Sequence, residues 1–171
     1  MRQDGLRAVL SVGLCGGLAQ YLCCGDVVVA TDVLDGTAPA RRRHAAIPDS
    51  KLAASTGSVI SVDRVAVTPA EKLDLHATGA IAVEMEALAV ADCAASAGIP
   101  FYCIRAVSDT AADSLPLNFN DYRDRDGRFD RTAIARAALL RPRLAAGLLQ
   151  LNQRCKQAAR QLGDYLAACR F

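Results

Sequence analysis

Between Ala80 and Thr110 the chain runs AIAVEMEALAVADCAASAGIPFYCIRAVSDT, and few folds accommodate that order. Ile81 to Val83 reads as a short buried strand, and Val83-Glu84-Met85-Glu86 as the turn after it. An alanine-rich helix follows, then a Gly98-Ile99-Pro100 break, then a second buried strand from Phe101 to Val107 that ends in Ser108-Asp109. Small residues at 87, 89, 91, 94, 95 and 97 let the helix lie close on a sheet, Gly98 stops it and Pro100 bars its continuation. Carboxylates thus stand at the C-terminal ends of two strands in one strand–helix–strand unit. Open α/β sheets bind their ligands in the crevice beyond those ends.

The same alternation continues upstream. Ala8–Val12, Asp26–Val33 and Gly57–Val62 are short β-type runs, and Gly13, Gly16 and Gly17 permit tight turns and close ligand approach. Leu34 to Pro48 reads as a polar loop whose Arg41-Arg42-Arg43-His44 run is solvated surface or, alternatively, a contact for an anion or acidic lipid. Pro48 to Ser55 reads as a short helix. Thr68-Pro69-Ala70-Glu71 is a helix start: Thr68 caps, proline suits the first helical position and Glu71 completes a capping box. Ala112 to Arg128 carries N-F-N-D-Y and D-R-D-G turn signals and reads as a long loop. The last third, from about residue 130, reads as helical, with Asp130 or Thr132 as one cap, Pro142 opening another helix, and Leu144, Leu148, Leu149 and Leu151 at helical spacing. Strands alternating with helices predict a single three-layer α/β domain over residues 1–171.

Composition narrows the function classes. With 52% hydrophobic and 22% charged residues the chain is globular rather than disordered. A formal charge of +2 and a pI near 8.2 are too mild to imply nucleic-acid binding. The seven cysteines form no CxxC and the two histidines lie far apart, so neither a zinc site nor a redox motif is expected. No apolar run reaches the roughly 18 residues of a membrane span, and Met1 to Arg7 lacks the layout of a signal peptide. The odd cysteine count points to a reducing cytoplasm.

The V-E-M-E segment and the R-A-V-S-D strand end closely resemble the purine nucleoside phosphorylase and methylthioadenosine/adenosylhomocysteine nucleosidase superfamily. So does VLSVGLCGGLAQYLCCGDVVVATDV, residues 9–33, which is similar to that family's S-x-G-x-A-G-G-L and G-D-V-V-V segments. The D-R-V-A-V-T-P-A-E-K run, the helix after V-E-M-E and the R-P-x-L tail look like the bacterial hopanoid-associated phosphorylases, which are implicated in removing adenine from adenosylhopane. The resemblance implies a nucleoside phosphorylase-like α/β/α fold with a mixed central sheet, truncated at its N-terminal end, because family chains carry a substantial part before the strand that here follows Arg7. It implies cleavage of a purine N-ribosidic bond, no cofactor beyond phosphate as a possible co-substrate, a small-molecule nucleoside partner and a homo-oligomer. Methylthioadenosine/adenosylhomocysteine nucleosidase and general purine nucleoside phosphorylase are the alternatives, and a non-catalytic remnant the alternative of another class. A dinucleotide-binding module is excluded, since no G-x-G-x-x-G opens a helix after the first strand.

The chemistry needs a protonated leaving base, a held ribose and a nucleophile on the opposite face. Carried over by the resemblance, Asp109 is the general acid, and its place at a buried strand end suits a retained proton. Its alternative is a cap for the next segment. Glu86 is the ribose clamp, since a carboxylate can accept both hydroxyls of a cis-diol, or else only a helix-start residue. Met85 packs on the sugar. Glu84 holds the loop, positions the nucleophile or balances a basic group. Leu14, Cys15 and Gly16 match the glycine turn, but Leu14 replaces the hydroxyl residue that helps phosphorolytic members bind phosphate. Val65 and Ala66 border the base and are smaller than the aromatic residue common there. Asp63-Arg64 reads as a strand-end ion pair and His76 as a surface helix residue.

Overall fold

The computed structural model describes residues 5–124 and 128–171. In chain order it contains β1 (Val9–Gly17), β2 (Val27–Asp35), β3 (Arg42–His44), β4 (Asp49–Ser50), β5 (Ser55–Ser61), α1 (Pro69–His76), β6 (Ala82–Glu84), α2 (Ala87–Ala97), β7 (Phe101–Asp109), α3 (Arg131–Leu139), α4 (Pro142–Ala167) and β8 (Cys169–Arg170).

The sheet runs β3-β2-β5-β6-β1-β7. It is mixed: β1 runs parallel to β7 and β5 to both β2 and β6, whereas β6 meets β1 antiparallel and β3 meets β2 antiparallel. A further antiparallel pairing joins β2 to β7 over Val27–Val29, so the central strands close on themselves. Helices cover two faces, which is why β2 and β7 are buried at nearly every position rather than at alternate ones. Val28, Ala30 and Cys103 pack with Ala87, Ala91 and Ala94 of α2. Their neighbours Val27, Val29, Ile104 and Ala106 pack instead with Ala158, Leu162 and Tyr165 of α4. The small side chains of α2 let that helix lie close, as the alanine spacing predicts.

The helix starts behave as their sequences suggest. Thr68 and Glu71 form a complete capping box, and Pro69 sits in the first turn of α1. Asp130, not Thr132, caps α3, accepting from Thr132 N and Ala133 N. Pro142 opens α4.

Four local expectations need correction. Pro48 to Ser55 forms no helix: Asp49–Ser50 pairs antiparallel with Cys169–Arg170, a partner more than a hundred residues away that no local pattern reveals. The arginine run is not a free loop. Arg42–His44 is an edge strand on β2, Arg41 bridges Asp35 and Asp92, Arg43 joins Asp92, and Arg42 approaches Asp32 at 3.6 Å. Residues 13–17 make no turn but extend β1, because β7 supplies hydrogen-bonding partners along nearly its whole length. The long loop contains a short 3-10 turn at Phe119–Tyr122, and Arg125 to Gly127 of its D-R-D-G signal lie outside the described residues. Among the described residues no helix is long and apolar enough to cross a membrane.

Candidate active site

Asp109, Glu84, Met85, Glu86, Val65, Ala66, Leu14, Cys15 and Gly16 all border one cleft of about 540 Å³ at the C-terminal ends of β1, β6 and β7. Four separate stretches of chain supply them, and the mixed sheet brings these together.

Asp109 closes β7 and is buried. Its Oδ2 lies 2.5 Å from the ammonium of Lys72, a fully buried residue of α1. Lys72 Nζ also donates to the carbonyls of Thr110 at 2.6 Å and Asp113 at 3.1 Å. Oδ1 receives Ser108 Oγ at 2.7 Å. Asp109 therefore does not cap the following segment; Asp113 does, accepting from the Thr110 amide and hydroxyl. Burial works against the Asp113 charge, yet those two donors and Arg154 outweigh it and hold the carboxyl down at about 2. Between Cys15 and Gly16 the β1–β7 register shifts, so that Gly16 faces Asp109 and Ser108 is the extra residue. A β-bulge of this kind turns successive side chains towards one side, as the Ser108–Asp109 bond requires.

Glu84 ends β6 and is also buried. Its Oε2 accepts from the amides of Glu86 and Ala87 and from Arg105 Nη2, the last at 2.6 Å. It thus holds the loop and balances a base at once. Arg105 reaches Glu84 across β1, where a Cβ at Gly13 would sit 2.8 Å from its Nη1, and also donates to Ser11. Gly16 is a second close approach: its Cβ would meet Val83 at 3.1 Å and Asp109 Oδ2 at 3.3 Å.

Glu86 stands at the N-cap position of α2 but makes no side-chain capping bond there. The helix start is served by Glu84, which leaves the exposed Glu86 carboxylate at the cleft. Half-buried Met85 lies beside it. Val65 offers the cleft its side chain rather than its backbone, because Asn120 takes both its N–H (2.8 Å) and its carbonyl (2.9 Å). Cys15 contributes mainly through its carbonyl, which accepts from Ser108 Oγ; burial pushes its thiol far above the ordinary range, so the sulfur stays protonated. The cleft is also lined by the apolar residues Leu115, Phe119, Phe129, Ile134 and Leu151, together with Arg64 and Arg131. Phe119 and Phe129 meet edge to face at 6.2 Å.

Sequence reasoning missed Lys72 and the aromatic pair Phe119 and Phe129. An arginine within the apolar run I-R-A-V was a usable signal for Arg105, since a buried charge needs a partner; Lys72 gave none. Arg64 pairs with Glu71, not Asp63. His76 is half-buried, bonds the Ala80 carbonyl through Nδ1 at 2.8 Å, and does not line this cleft. Of the four leucines in the tail only Leu151 reaches it; Leu144 is core and Leu149 is exposed.

Residues 42–145 match the profile of the Phosphorylase superfamily. The chain belongs to that superfamily. It is 31% identical over 142 residues to a 5′-methylthioadenosine/S-adenosylhomocysteine nucleosidase of Shewanella halifaxensis, covering 67% of this chain and 61% of that protein. With the nucleosidase of the same name from Haemophilus ducreyi the identity is 33% over 141 residues, 67% of this chain and 60% of the other. The chain therefore spans about three fifths of the length of these curated relatives. Among solved structures it resembles the Neisseria meningitidis nucleosidase in complex with methylthio-immucillin-A, with a TM-score of 0.66 and 21% identity over 98% of this chain and 70% of that one. At that identity the likeness speaks for the fold, and it agrees with the mixed sheet and flanking helices described above.

Proposed function

We propose that the protein cleaves the N-ribosidic bond of purine nucleosides with water as the nucleophile. The observation that carries this reading is a pair of carboxylates in different settings on one cleft: Asp109 is buried and bonded on both oxygens, whereas Glu86 is exposed and unengaged. Asp109 gives a proton to the imidazole part of the purine, the C–N bond electrons leave with the base, and neutral purine departs. Glu86 accepts from the ribose hydroxyls while Met85, Val65 and Ala66 supply apolar walls. Water adds to the anomeric carbon and loses its proton to solvent, from which Asp109 is reloaded.

Water suits this site better than phosphate. Arg105 is neutralised by Glu84, Leu14 offers no hydroxyl, and the unengaged carboxylate of Glu86 lines the cleft. Like charges in a cleft of low dielectric repel an incoming anion. Glu84 Oε1, buried and without a hydrogen-bond partner, can accept from a water. The relatives' name, nucleosidase, supports the same choice.

The test is release of adenine from adenosine with and without phosphate. Free ribose and a rate indifferent to phosphate are expected; ribose 1-phosphate as product would make the protein a phosphorylase. Glu86→Gln is expected to cost adenosine about tenfold in kcat/KM, the scale of a lost charge-assisted hydrogen bond, and deoxyadenosine lacking the 2′-hydroxyl much less. Equal losses on both would leave Glu86 no part in holding the diol.

The apolar part of the lining favours a finer reading, a nucleoside with a bulky apolar 5′ substituent such as adenosylhopane. Its support is the presence of Leu115, Phe119, Phe129, Ile134 and Leu151 in the lining of the cleft. Preference for methylthioadenosine over adenosylhopane in the same assay would assign the protein the substrate in its relatives' name instead.

A further inference from the structure

Lys72 has no part in the scheme above, yet its ammonium is fully buried against the group that has the central part. Its three acceptors, Asp109 Oδ2, Thr110 O and Asp113 O, match the three N–H bonds of an ammonium, whereas a neutral amine has only two to give. The two carbonyls are themselves fixed, because Asp113 gathers the Thr110 amide and hydroxyl together with Arg154. Lys72 is thus a rigid cation aimed at one oxygen of one carboxylate.

We propose that Lys72 is the positioning residue of the acid: it holds Oδ2 of Asp109, so that the transferable proton rides on Oδ1, and stabilises the carboxylate formed as that proton reaches the base. The proposal rests on Asp109 acting as acid. An oxygen that accepts a short charge-assisted bond takes the carbonyl role in a carboxylic acid, leaving the hydroxyl role to the other. Ser108 fits either state of Oδ1. Its single hydroxyl hydrogen can go to Oδ1, 2.7 Å away, when Asp109 is ionised, or to the Cys15 carbonyl, 3.1 Å away, when Oδ1 carries the proton. As the C–N bond breaks, its electron pair stays with the base, the Oδ1 proton moves to the base, and the negative charge left on Asp109 already faces an ammonium that need not reorganise.

Among the described residues, Cys15 of β1, Cys24 in the β1–β2 connection, and Arg154 and Cys155 of α4 also feel the Asp109 charge. Glu84, Arg105 and Glu86 line the same cleft, the first two paired with each other and Glu86 unengaged. The cysteines are neutral thiols and Arg154 is paired with Asp113, so Lys72 is the cation in direct contact. Replacing it should make the acid weaker but loaded to higher pH.

The experiment compares the wild type with Lys72→Met, Asp109→Asn and the double variant, on adenosine and on 4-nitrophenyl riboside, whose leaving group needs no proton. Lys72→Met is expected to lower kcat on adenosine by about 10- to 100-fold, within the range of general acid assistance, with KM little changed. It should spare the nitrophenyl riboside and move the alkaline limb of the adenosine rate to higher pH. Should Lys72→Met alone not fold, the double variant removes the orphaned charge, and it is expected to be no slower than Asp109→Asn, because two residues acting through one group are not additive. Equal loss on both substrates, an unmoved alkaline limb, or a double variant slower than Asp109→Asn by the full Lys72 factor would overturn the assignment. A wild type that releases no adenine, or an Asp109→Asn variant as fast as wild type, would instead remove the reading of Asp109 on which it rests.

Discussion

Asp109→Asn is expected to slow adenine release from adenosine by about 10²-fold or more, the contribution of a well-placed general acid. An amide fills the same space, its carbonyl oxygen can accept from Lys72 and its NH2 can donate to the Ser108 hydroxyl, so the fold should survive while the transferable proton is lost. The loss should shrink for substrates whose base leaves readily as an anion, and the size of that difference measures how far protonation has advanced in the transition state. Near-normal turnover of adenosine would take Asp109 out of the mechanism and reduce its contacts to support for the strand end.

Arg105→Met carries the largest expected effect on stability. Arg105 is 1% exposed and its partner Glu84 6% exposed. Removing one member of a buried pair leaves the other charged in a dry site, typically at a cost of about 3–5 kcal/mol. In a chain of this size that corresponds to a fall in Tm of roughly 10 °C, measurable by thermal denaturation. Adding Glu84→Gln should recover much of the loss, because glutamine keeps an acceptor for the Glu86 and Ala87 amides without the orphaned charge. Failure of the second substitution to recover stability would show that Arg105 acts through its packing or through Ser11 rather than through Glu84.

The parts of the fold that could be read in advance are those whose signal is local. The capping box at Thr68 lies within four residues, the alanines of α2 repeat at helical spacing, and the apolar runs 27–30 of β2 and 101–104 of β7 declare burial on two sides. What escaped depends on partners distant in sequence. The Asp49–Ser50 strand exists because Cys169–Arg170 lies beside it, and the Arg42–His44 strand because Asp35, Asp92 and Asp32 turn a charged run into an anchored edge. The site divides in the same way. V-E-M-E and R-A-V-S-D brought the right residues to notice, but the choice of partners stayed hidden: Glu84 with Arg105, Lys72 with Asp109, Arg64 with Glu71 rather than with its neighbour Asp63. A one-dimensional pattern reports which residues are polar where burial is expected. It does not report which opposite charge will be folded against each.

The single-residue slip between β1 and β7 sets a condition on anyone who would transplant this chemistry. In a regular parallel pair, neighbouring residues of one strand face opposite ways, and a carboxylate could not share its side of the sheet with the hydroxyl immediately before it. Here Cys15 faces Val107 and Gly16 faces Asp109, so Ser108 and Asp109 stand together. A designer copying only the two side chains onto another scaffold would obtain one of them pointing the wrong way. A deletion of Ala106 or Val107 that restored regular pairing would part the hydroxyl from the carboxylate without removing either. The smallest portable unit is therefore the irregular backbone rather than the residues it carries.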